Sequence, residues 1–497
     1  MKIKGLRWVV LGLIVLITII NYLDRGTLNY MWITNSKIQY DLVSAVSNER
    51  KLPYAVYLSA ENKYLLLEAN GSTKKVDKES VVDKSKEGSS SIQYIKKSGI
   101  ALDLGLVDAT AAPAEIAKQS KKILSYITMF FMVAYGISQL VSGKIYDKIG
   151  TRKGFTMSVI IWGLADMFTS FASGIGSLCG FRVLLGLGEA GPWPGVVKSN
   201  AEWFPVKERA FAQGLFGAGG SIGSILSPII ISMLYISFGW KSTFIVVGSL
   251  GLIWLIPWLI LNKKTPDEHP WITDEERAHI LEGREVKAVN NTTTDKGKSW
   301  GELLGLKNSY AVILGRFFLD PVWWMFVTWL PIYLSEVFKL DIKQIAFSAW
   351  VPYVGAAIGA ISGGWFSGYI IKKGKSANTA RRISVVIGAC ITLPALIAAA
   401  FASSALSAVI IMAFILGGFQ FSIVNIQTLA SDFHSGKTVG SLAGLGGFAA
   451  VMGTVISMFL IPYITTNGNW FLFFVMGAIM VPLSVLSVLL FGKVKNK

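Results

Sequence analysis

The chain has 497 residues, of which 52% are hydrophobic and only 15% are charged. This balance excludes an ordinary soluble domain and predicts a protein that crosses a membrane many times. The net charge of +17 does not indicate nucleic-acid binding, because the basic residues cluster in short loops beside apolar segments, as cytoplasmic loops do. Cys179 and Cys390 fall inside apolar segments and predict neither a disulfide scaffold nor a metal site.

The apolar segments predict the fold class. At about 20 residues per crossing, the chain accommodates about twelve spans and two longer loops. We therefore predict an all-α membrane protein with twelve transmembrane helices in two six-helix repeats, the layout of a parallel-repeat secondary transporter. The basic loops place both termini in the cytoplasm. The predicted segments are helix 1 in 1–33, an extracytoplasmic insert in 34–119, the rest of the first bundle in 120–262, a cytoplasmic central loop in 263–308 and the second bundle in 309–497.

The first span contains an acid and a base. The apolar run 8–20 is followed by Asn-Tyr-Leu-Asp-Arg at 21–25. Each charge costs about 2.5–3.5 kcal/mol at such a depth, so Asp24 and Arg25 either snorkel to the interface or have a function. The planar guanidinium of Arg25 suits an anionic substrate, because it binds a carboxylate through two hydrogen bonds. Asp24 lies about 100° around the helix and is expected to pair elsewhere, with Arg182.

The insert after this span has no assignable chemistry. Aromatic and branched residues at 54–59 and 63–68, bounded by turn residues, predict a β-hairpin in a small β-rich subdomain. The charged, serine-rich stretch 74–91 is expected to be a mobile connection. A helix that leads into the second span is expected to open at 112–115.

The loop after the second span carries a specific spacing of small and charged residues. Gly143 allows a neighbouring helix to approach closely, and Asp147 can accept hydrogen bonds at a helix terminus. Lys148 and Arg152 hold the loop on the cytoplasmic side. These four residues form a candidate gate for a conformational change.

The fourth span places Arg182 and Glu189 seven residues apart, so both face one side of a helix about 10 Å from each other. The three histidines lie in predicted loops. Any proton coupling inside the membrane must therefore use a carboxylate. Glu189 is either a permanent ion-pair partner of Arg182 or, as we favour, a proton site. In the second case its protonation equilibrium shifts when a substrate anion competes for the arginine. The candidate proton-coupling residues are Asp24, Arg182 and Glu189.

Further polar and aromatic residues are candidates for substrate binding. Trp323 and Trp324 of the seventh span offer rings that stack on a sugar, although membrane tryptophans more often pack against other helices. Asn425 and Gln427 of the tenth span offer amides for hydroxyl groups. Tyr135 of the second span is another polar aromatic candidate. Three other charged residues within spans have no assigned role: Asp166, Arg316 and Asp320.

These residues carry a family resemblance. The chain resembles the major facilitator superfamily (the MFS fold), with 143–153 matching its loop motif between spans 2 and 3. More narrowly, it is similar to the anion:cation symporter family through 21–25 and through Arg182, Glu189 and the Ala-Gly that follows. The stretches 2–8, 199–209 and 316–323 look most like bacterial hexuronate (galacturonate/glucuronate) transporters. The likeness covers nearly the whole chain except about 34–100.

The resemblance implies proton-coupled uptake by alternating access. In sugar-acid members, the residues that match Tyr22, Arg25 and Tyr135 contact the substrate. The acids that match Asp24 and Glu189 are implicated in proton coupling.

In the same relatives, the base that matches Arg182 pairs with the acid that matches Asp24. Two positions depart from the pattern. An asparagine of span 11 that binds sugar acid in some relatives falls on Gly447, and a tryptophan of span 10 falls on Gln427. The pocket is therefore not expected to be that of an aldonate carrier.

The sequence as a whole predicts a proton-driven symporter of a hexuronate or similar sugar acid in the bacterial inner membrane. Sodium coupling stays open. No cofactor, metal or nucleic acid is expected; the partners are the sugar-acid anion and membrane lipids, and the protein is expected to be a monomer. Two alternatives remain: an organic anion or organophosphate exchanger of the same fold, and a non-transporting sensor that binds its ligand through a periplasmic insert. An enzyme is not expected, because no buried histidine, Ser/His pair or metal cluster appears.

Overall fold

The computed structural model describes residues 2–32, 34–41, 55–58, 64–67, 73–76, 81–83, 91–108, 113–282, 297–340, 348, 350–465 and 470–492. Several stretches of the predicted insert, among them 42–54 and 84–90, and the part of the predicted central loop at 283–296 lie outside these residues. The chain divides into two units. The first comprises Met1–Thr27, Tyr126–Ala172 and Gly176–Lys497, and the second comprises Leu28–Ser125 and Ser173–Ile175.

Helices dominate the described residues. In chain order they are α1 Leu6–Met31, α2 Ile100–Asp103, α3 Pro113–Thr169, α4 Ile175–Glu189, α5 Pro192–Trp203, α6 Val206–Leu261, α7 Asp274–Leu281, α8 Trp300–Leu304, α9 Ser309–Phe338, α10 Val351–Lys372, α11 Ala377–Ala399, α12 Ala405–Phe433, α13 Val439–Ile464 and α14 Phe471–Phe491. A short 3₁₀ helix, Gly436–Thr438, precedes α13.

Nine helices in the described part of the chain are long and apolar enough to cross a membrane. Two of them, α3 and α6, have 57 and 56 residues, and a continuous helix of that length would extend about 85 Å, far beyond one bilayer core. Each is interrupted by a glycine with positive φ: Gly150 at 81° and Gly239 at 75°. A side chain at these positions would strain the backbone, so glycine permits the reversal. The helix that carries Glu189 ends just before Pro192, where a new helix begins.

The buried apolar side chains form two clusters. One draws its residues from 6–280, and the other draws them from 303–488 together with Val197. Many large apolar side chains point outward instead, among them Phe171, Ile236 and Leu406, which are more than two-thirds exposed. Two internal cores with an apolar outer surface are the expected arrangement for two helix bundles whose solvent is lipid.

Glycines set the spacing between helices of the second half. Gly355, Gly359 and Gly363 recur every fourth residue along α10, and a Cβ on any of them would collide with backbone atoms of α12. A stripe of this kind lets two backbones touch, which gives helix association in lipid its van der Waals energy.

The two halves are joined at one end by buried arginines. Arg381 is fully buried and donates to Asp432 (3.0 Å) and to the carbonyl of Val206 (2.8 Å). Arg209 donates to the carbonyl of Ser431 (2.7 Å). Because each arginine reaches from one half into the other, this end is held closed by charge-assisted hydrogen bonds.

The start of α1 is capped by another part of the chain. The Glu276 carboxylate accepts hydrogen bonds from the backbone N–H groups of Gly5, Leu6 and Arg7 at 2.9, 3.1 and 3.2 Å. An acid at a helix N-terminus satisfies unpaired donors and complements the helix dipole. Thr273 caps α7 by accepting from the Glu276 N–H at 3.3 Å, whereas the Glu276 side chain serves α1.

The second unit contains two antiparallel three-stranded sheets. The strands are β1 Thr34–Asp41, β2 Ala55–Leu58, β3 Tyr64–Leu67, β4 Thr73–Lys75, β5 Val81–Asp83 and β6 Ser91–Ser98. The sheet orders are β1-β6-β5 and β2-β3-β4. β2 pairs with β3 over the two segments in which the sequence predicts a hairpin. Strands β4 and β5 correct the expectation of a structureless connection over 74–91, because backbone pairing with neighbours compensates for weak hydrophobicity.

The α10–α12 contact predicts a selective effect of one methyl group. We expect Gly359→Ala to lower the free energy of unfolding by about 1–3 kcal/mol, because the methyl must push the α12 backbone at Gly417 away. Gly12→Ala, where nothing lies within 4 Å, is the matched control and should leave stability nearly unchanged. Thermal unfolding of the detergent-solubilised proteins measures both. Equal melting temperatures for the two variants would contradict the close packing described here.

Candidate substrate cavity and buried charge network

A cavity lies between the two halves of the first unit. The space not occupied by protein atoms amounts to about 650 Å³, including its open mouth. Aromatic and polar side chains from both halves face it. The lining includes Tyr22, Arg25, Tyr135, Gln139, Trp193, Arg316, Asp320, Trp323, Trp324, Gln420, Gln427 and Gly447.

Arg25 is bound to Glu189 at the edge of this cavity. Nε of Arg25 donates to Oε2 of Glu189 at 2.6 Å, and the side chains are 12% and 0% exposed. The guanidinium carbon also lies 4.9 Å from the Tyr135 ring centre and 5.4 Å from the Tyr22 ring centre, at cation–π distances. Among the described residues, Nη2 of Arg25 and Oε1 of Glu189 have no hydrogen-bond partner. Arg25 therefore faces the cavity, and its positive charge is balanced by the buried Glu189 carboxylate.

The predicted pairing of Asp24 with Arg182 is not formed. Neither carboxylate oxygen of Asp24 accepts a hydrogen bond among the described residues, and Nε and Nη2 of Arg182 donate none. Arg182 instead lies over the Phe244 ring at 5.9 Å. The alternative of a permanent Arg182–Glu189 ion pair is not found either: Glu189 pairs with Arg25 of the neighbouring helix, and Arg182 interacts with Glu189 and Asp24 only electrostatically. Sequence spacing fixes which face of a helix a residue occupies, but the rotation of the next helix decides its partner.

Asp166 completes a buried network of charges. It is fully buried, as are Asp24 and Glu189, and Arg182 is 5% exposed. Electrostatic interactions link Asp166 with Arg182 and Glu189, and Asp24 with Asp166. With Arg25, the network holds three carboxylates and two guanidinium groups. If all were ionised, one negative charge would be left without compensation in a medium where that is costly. One bound proton makes the network neutral.

The second half contributes another ion pair to the cavity. Nη2 of Arg316 donates to Oδ1 of Asp320 at 3.1 Å, one helical turn along α9. Trp323 stacks on Phe419 with ring centres 5.8 Å apart, so one face of its ring is covered and only the other face or an edge can contact a ligand. Gln427 accepts from Nε2 of Gln213 at 2.8 Å.

Asn425 does not line the cavity. It is fully buried, and its Nδ2 donates to the backbone carbonyls of Gly363 and Phe421 at 3.1 and 2.9 Å. Its amide therefore joins α12 to α10 instead of meeting a ligand. The other predicted substrate-contact positions, Tyr22, Arg25, Tyr135, Trp323, Trp324 and Gln427, all lie on the cavity surface.

Gln139 occupies the space that a side chain at position 447 would take. A Cβ on Gly447 would collide with Oε1 of Gln139. Nε2 of Gln139 donates to the Tyr135 hydroxyl at 3.0 Å, and its Oε1 accepts no hydrogen bond among the described residues. The amide of Gln139 on the second span therefore occupies the space beside Gly447. Sequence reasoning missed Gln139, although it lies exactly one turn after Tyr135.

The gate candidates separate into two groups. Asp147 accepts from the backbone N–H groups of Gly440 (3.0 Å) and Ser441 (2.6 Å) in the other half and from Lys198 at 3.1 Å. A Cβ on Gly143 would collide with the Gly440 carbonyl, so this glycine permits the contact. Gly143 and Asp147 therefore lie where the halves meet.

The two basic members of the motif lie elsewhere. Arg152 donates to the carbonyl of Leu259 at 3.0 Å within its own half, and Lys148 is exposed. Trp193 and Gln420 also line the cavity and were missed by sequence reasoning. Trp193 stands between Pro192 and Pro194 at the start of α5, and Gln420 lies seven residues before Gln427, on the same helix face.

Comparisons with known proteins give the family. Residues 99–394 match the family model described as Major Facilitator Superfamily. The hexuronate transporter of Escherichia coli (strain K12) is 31% identical over 353 residues, which cover 70% of this chain and 80% of that protein. The galacturonate transporter of Dickeya chrysanthemi is 32% identical over 289 residues, 57% of this chain and 83% of that protein. The structure of the E. coli fucose:proton symporter FucP aligns with a TM-score of 0.56 and 12% identity, covering 76% of this chain and 92% of that chain.

The chain therefore belongs to the Major Facilitator Superfamily. It is a multi-pass secondary transporter with that all-α membrane fold, and it is not an enzyme. Within the family its sequence is similar to the hexuronate and galacturonate transporters, so the resemblance seen in its motifs is confirmed.

The buried ion pair predicts strong energetic coupling between its members. Arg25→Gln or Glu189→Gln leaves a buried charge without its partner and should cost about 3–5 kcal/mol. We expect the double variant to lose much less than the sum, as a double-mutant cycle on thermal unfolding would reveal. The matched cycle of Asp24→Asn with Arg182→Gln should give a smaller coupling, because those groups share no hydrogen bond. Additive losses at 25 and 189 would refute the pair.

Proposed function

We propose that this protein is a proton-coupled symporter that takes up a hexuronate or a related sugar acid by alternating access. The observation that carries the proposal is the Arg25–Glu189 ion pair at the cavity surface. The named activities of the similar transporters, hexuronate and galacturonate transport, support the substrate class.

In this proposal, Arg25 binds the carboxylate of the sugar acid. Its side chain lines the cavity, and a bidentate contact with a carboxylate replaces the single bond to Glu189. The Tyr22 and Tyr135 rings lie at cation–π distance from the guanidinium and present hydroxyl groups for the sugar. Trp323, Trp324 and Gln427 contribute stacking surface and an amide from the second half.

Proton coupling follows from the exchange of partners. When the substrate carboxylate binds Arg25, Glu189 loses its counterion in a fully buried position. A buried carboxylate without a partner is costly, so Glu189 takes up a proton and the substrate enters together with it. Asp24, Asp166 and Arg182 lie next in the network and form the route by which that proton is shared. No histidine, cofactor or metal is required, and sodium coupling is the alternative that the gradient experiment below separates.

We infer twelve crossings in two bundles of six. The nine apolar helices become twelve spans when α3 and α6 are each counted twice, at the breaks of Gly150 and Gly239, and when α4 with α5 is counted as one. Basic loops place both termini in the cytoplasm of a bacterial inner membrane and the insert in the periplasm. The end closed by Asp147 and Arg381 is then cytoplasmic. Opening that end while the other closes would complete the transport cycle.

An anion exchanger is the second candidate, because arginines from both halves, Arg25 and Arg316, reach the cavity. Two guanidinium groups suit the doubly charged phosphate of an organophosphate. Each arginine is already paired with a carboxylate, however, so the cavity has no net positive charge for a dianion. The cavity therefore fits a symporter of a sugar acid better than an organophosphate exchanger.

Uptake into proteoliposomes tests the proposal. We expect labelled galacturonate or glucuronate to accumulate under an inward proton gradient but not under a sodium gradient alone. Accumulation only when the vesicles are preloaded with a phosphate ester or inorganic phosphate would favour the exchanger. Ligand binding without uptake would favour a sensor.

Glu189→Gln should separate transport from coupling. The variant cannot release or bind the proton, so we expect it to lose accumulation driven by a pH gradient while it still exchanges labelled for unlabelled substrate. Glu275→Gln, an exposed position outside the cavity, is the control and should behave as the unaltered protein. Concentrative uptake by Glu189→Gln would remove this residue from the coupling step.

Arg25→Lys should weaken substrate binding by about tenfold or more, because an ammonium group keeps the charge but loses the planar two-point contact. Binding can be measured by tryptophan fluorescence or isothermal titration with the detergent-solubilised protein. Arg277→Lys outside the cavity controls for the loss of a guanidinium. Unchanged affinity of Arg25→Lys would mean that another residue holds the carboxylate.

A further inference from the structure

The ion pair of the second half, Arg316 with Asp320, has no part in the coupling scheme. Both side chains line the cavity and are 8% and 15% exposed. Nε of Arg316 also donates to Oδ2 of Asp320, at 3.3 Å, so the two groups meet through two hydrogen bonds. Asp320 belongs to α9 of the second half and Arg25 to α1 of the first, so the two residues reach the same cavity from different halves.

The surroundings hold this pair in place. Nη1 of Arg316 lies 3.4 Å from the position that a Cβ of Gly447 would take, so the absence of a side chain there leaves room for the guanidinium. The (i, i+4) spacing on α9 lets the two side chains lie along one helix face. The result is a cavity with two polar groups from different halves: the guanidinium of Arg25 and the charge-balanced pair at Asp320, each of whose carboxylate oxygens can accept a further hydrogen bond.

We propose that Asp320, held by Arg316, binds the hydroxyl groups at the far end of the sugar acid and excludes a second carboxylate. This proposal rests on the proposed function and narrows it: the substrate is a sugar acid with one carboxylate, and aldaric acids, which carry one at each end, are rejected. Asp320 and Arg316 are then specificity-determining residues of the transport reaction.

The chemistry of a carboxylate supports this division. Its two oxygens accept hydrogen bonds from neighbouring hydroxyl groups of a sugar, and Arg316 keeps it in position by taking the remaining lone pairs. A second substrate carboxylate in the same place would meet Asp320 at close range as a like charge. Without the Asp320 charge, Arg316 would be free to bind that carboxylate itself.

Competition with labelled galacturonate uptake tests the inference. Galactonate and galactarate share one open six-carbon chain and differ only at the terminal group, a hydroxymethyl or a carboxylate. A competitor needs only to bind and not to be transported, so although the pocket is not expected to be that of an aldonate carrier, we expect galactonate to inhibit uptake by the unaltered protein about tenfold more strongly than galactarate. In Asp320→Asn, which keeps the shape and removes the charge, the preference should fall by about tenfold. Adding Arg316→Gln to this variant should remove the gain in galactarate binding. Asp267→Asn, an exposed acid outside the cavity, is the control and should keep the original preference.

The outcomes separate the inference from the proposed function. Uptake of galacturonate with equal inhibition by the two competitors, or with no inhibition by either, overturns the inference and leaves the proposed function standing. An unchanged preference in Asp320→Asn also overturns it. If the unaltered protein takes up no sugar acid under any gradient, the proposed function fails, and the inference fails with it. The competition experiment on the unaltered protein decides the matter even if the variants do not fold.

Discussion

Arg25 and Glu189 form a buried ion pair, and the Arg25 side chain lines the cavity, where a ligand can reach it. Neither charge can be left alone at this depth without a cost of several kcal/mol. In the mechanism that we propose, a substrate anion replaces Glu189 at Arg25, and a proton replaces Arg25 at Glu189. The two replacements stabilise the same state. This linkage is a thermodynamic coupling, so it is reciprocal: the proton favours the anion as much as the anion favours the proton.

The packing of the helices makes this exchange useful for transport. Gly143 and Gly364 bring backbones of the two halves into contact, and Asp147 and Arg381 add charge-assisted hydrogen bonds at the same end. These contacts form or break together, because two helices that touch through glycines fit against each other in only one relative position. Two rigid bundles with two cores can then rock about the cavity between them, which is the motion that alternating access requires.

Much of this architecture is readable from the sequence. The apolar segments, the breaks near Pro192, the start of α3 at Pro113 and the cap at Thr273 follow from local rules of hydropathy and helix capping. The location of the cavity also follows, because polar aromatic residues and arginines inside spans need a polar space to face.

The partners within the site do not follow from the sequence. Arg25 and Asp24 are neighbours in the chain, and only the rotation of α4 against α1 decides that Glu189 meets Arg25. Asn425 shows the same limit, since its amide is satisfied by the backbone of α10, where glycine lets it approach. The position of Gln139, one helical turn after Tyr135, is visible in the sequence. Its side chain fits only because Gly447, in a helix far away in the sequence, has no side chain. The local sequence pattern does not predict contacts between helices that are far apart in the sequence.

The most direct measurement counts protons when substrate binds to the purified protein. In weakly buffered detergent solution with a pH indicator, addition of galacturonate should cause the protein to take up protons, because the substrate carboxylate displaces Glu189 from Arg25. Glu189→Gln should bind the same anion with no such uptake, while Glu275→Gln should match the unaltered protein. Substrate binding without proton uptake by the unaltered protein, or uptake that persists in Glu189→Gln, would contradict the exchange of partners at Arg25.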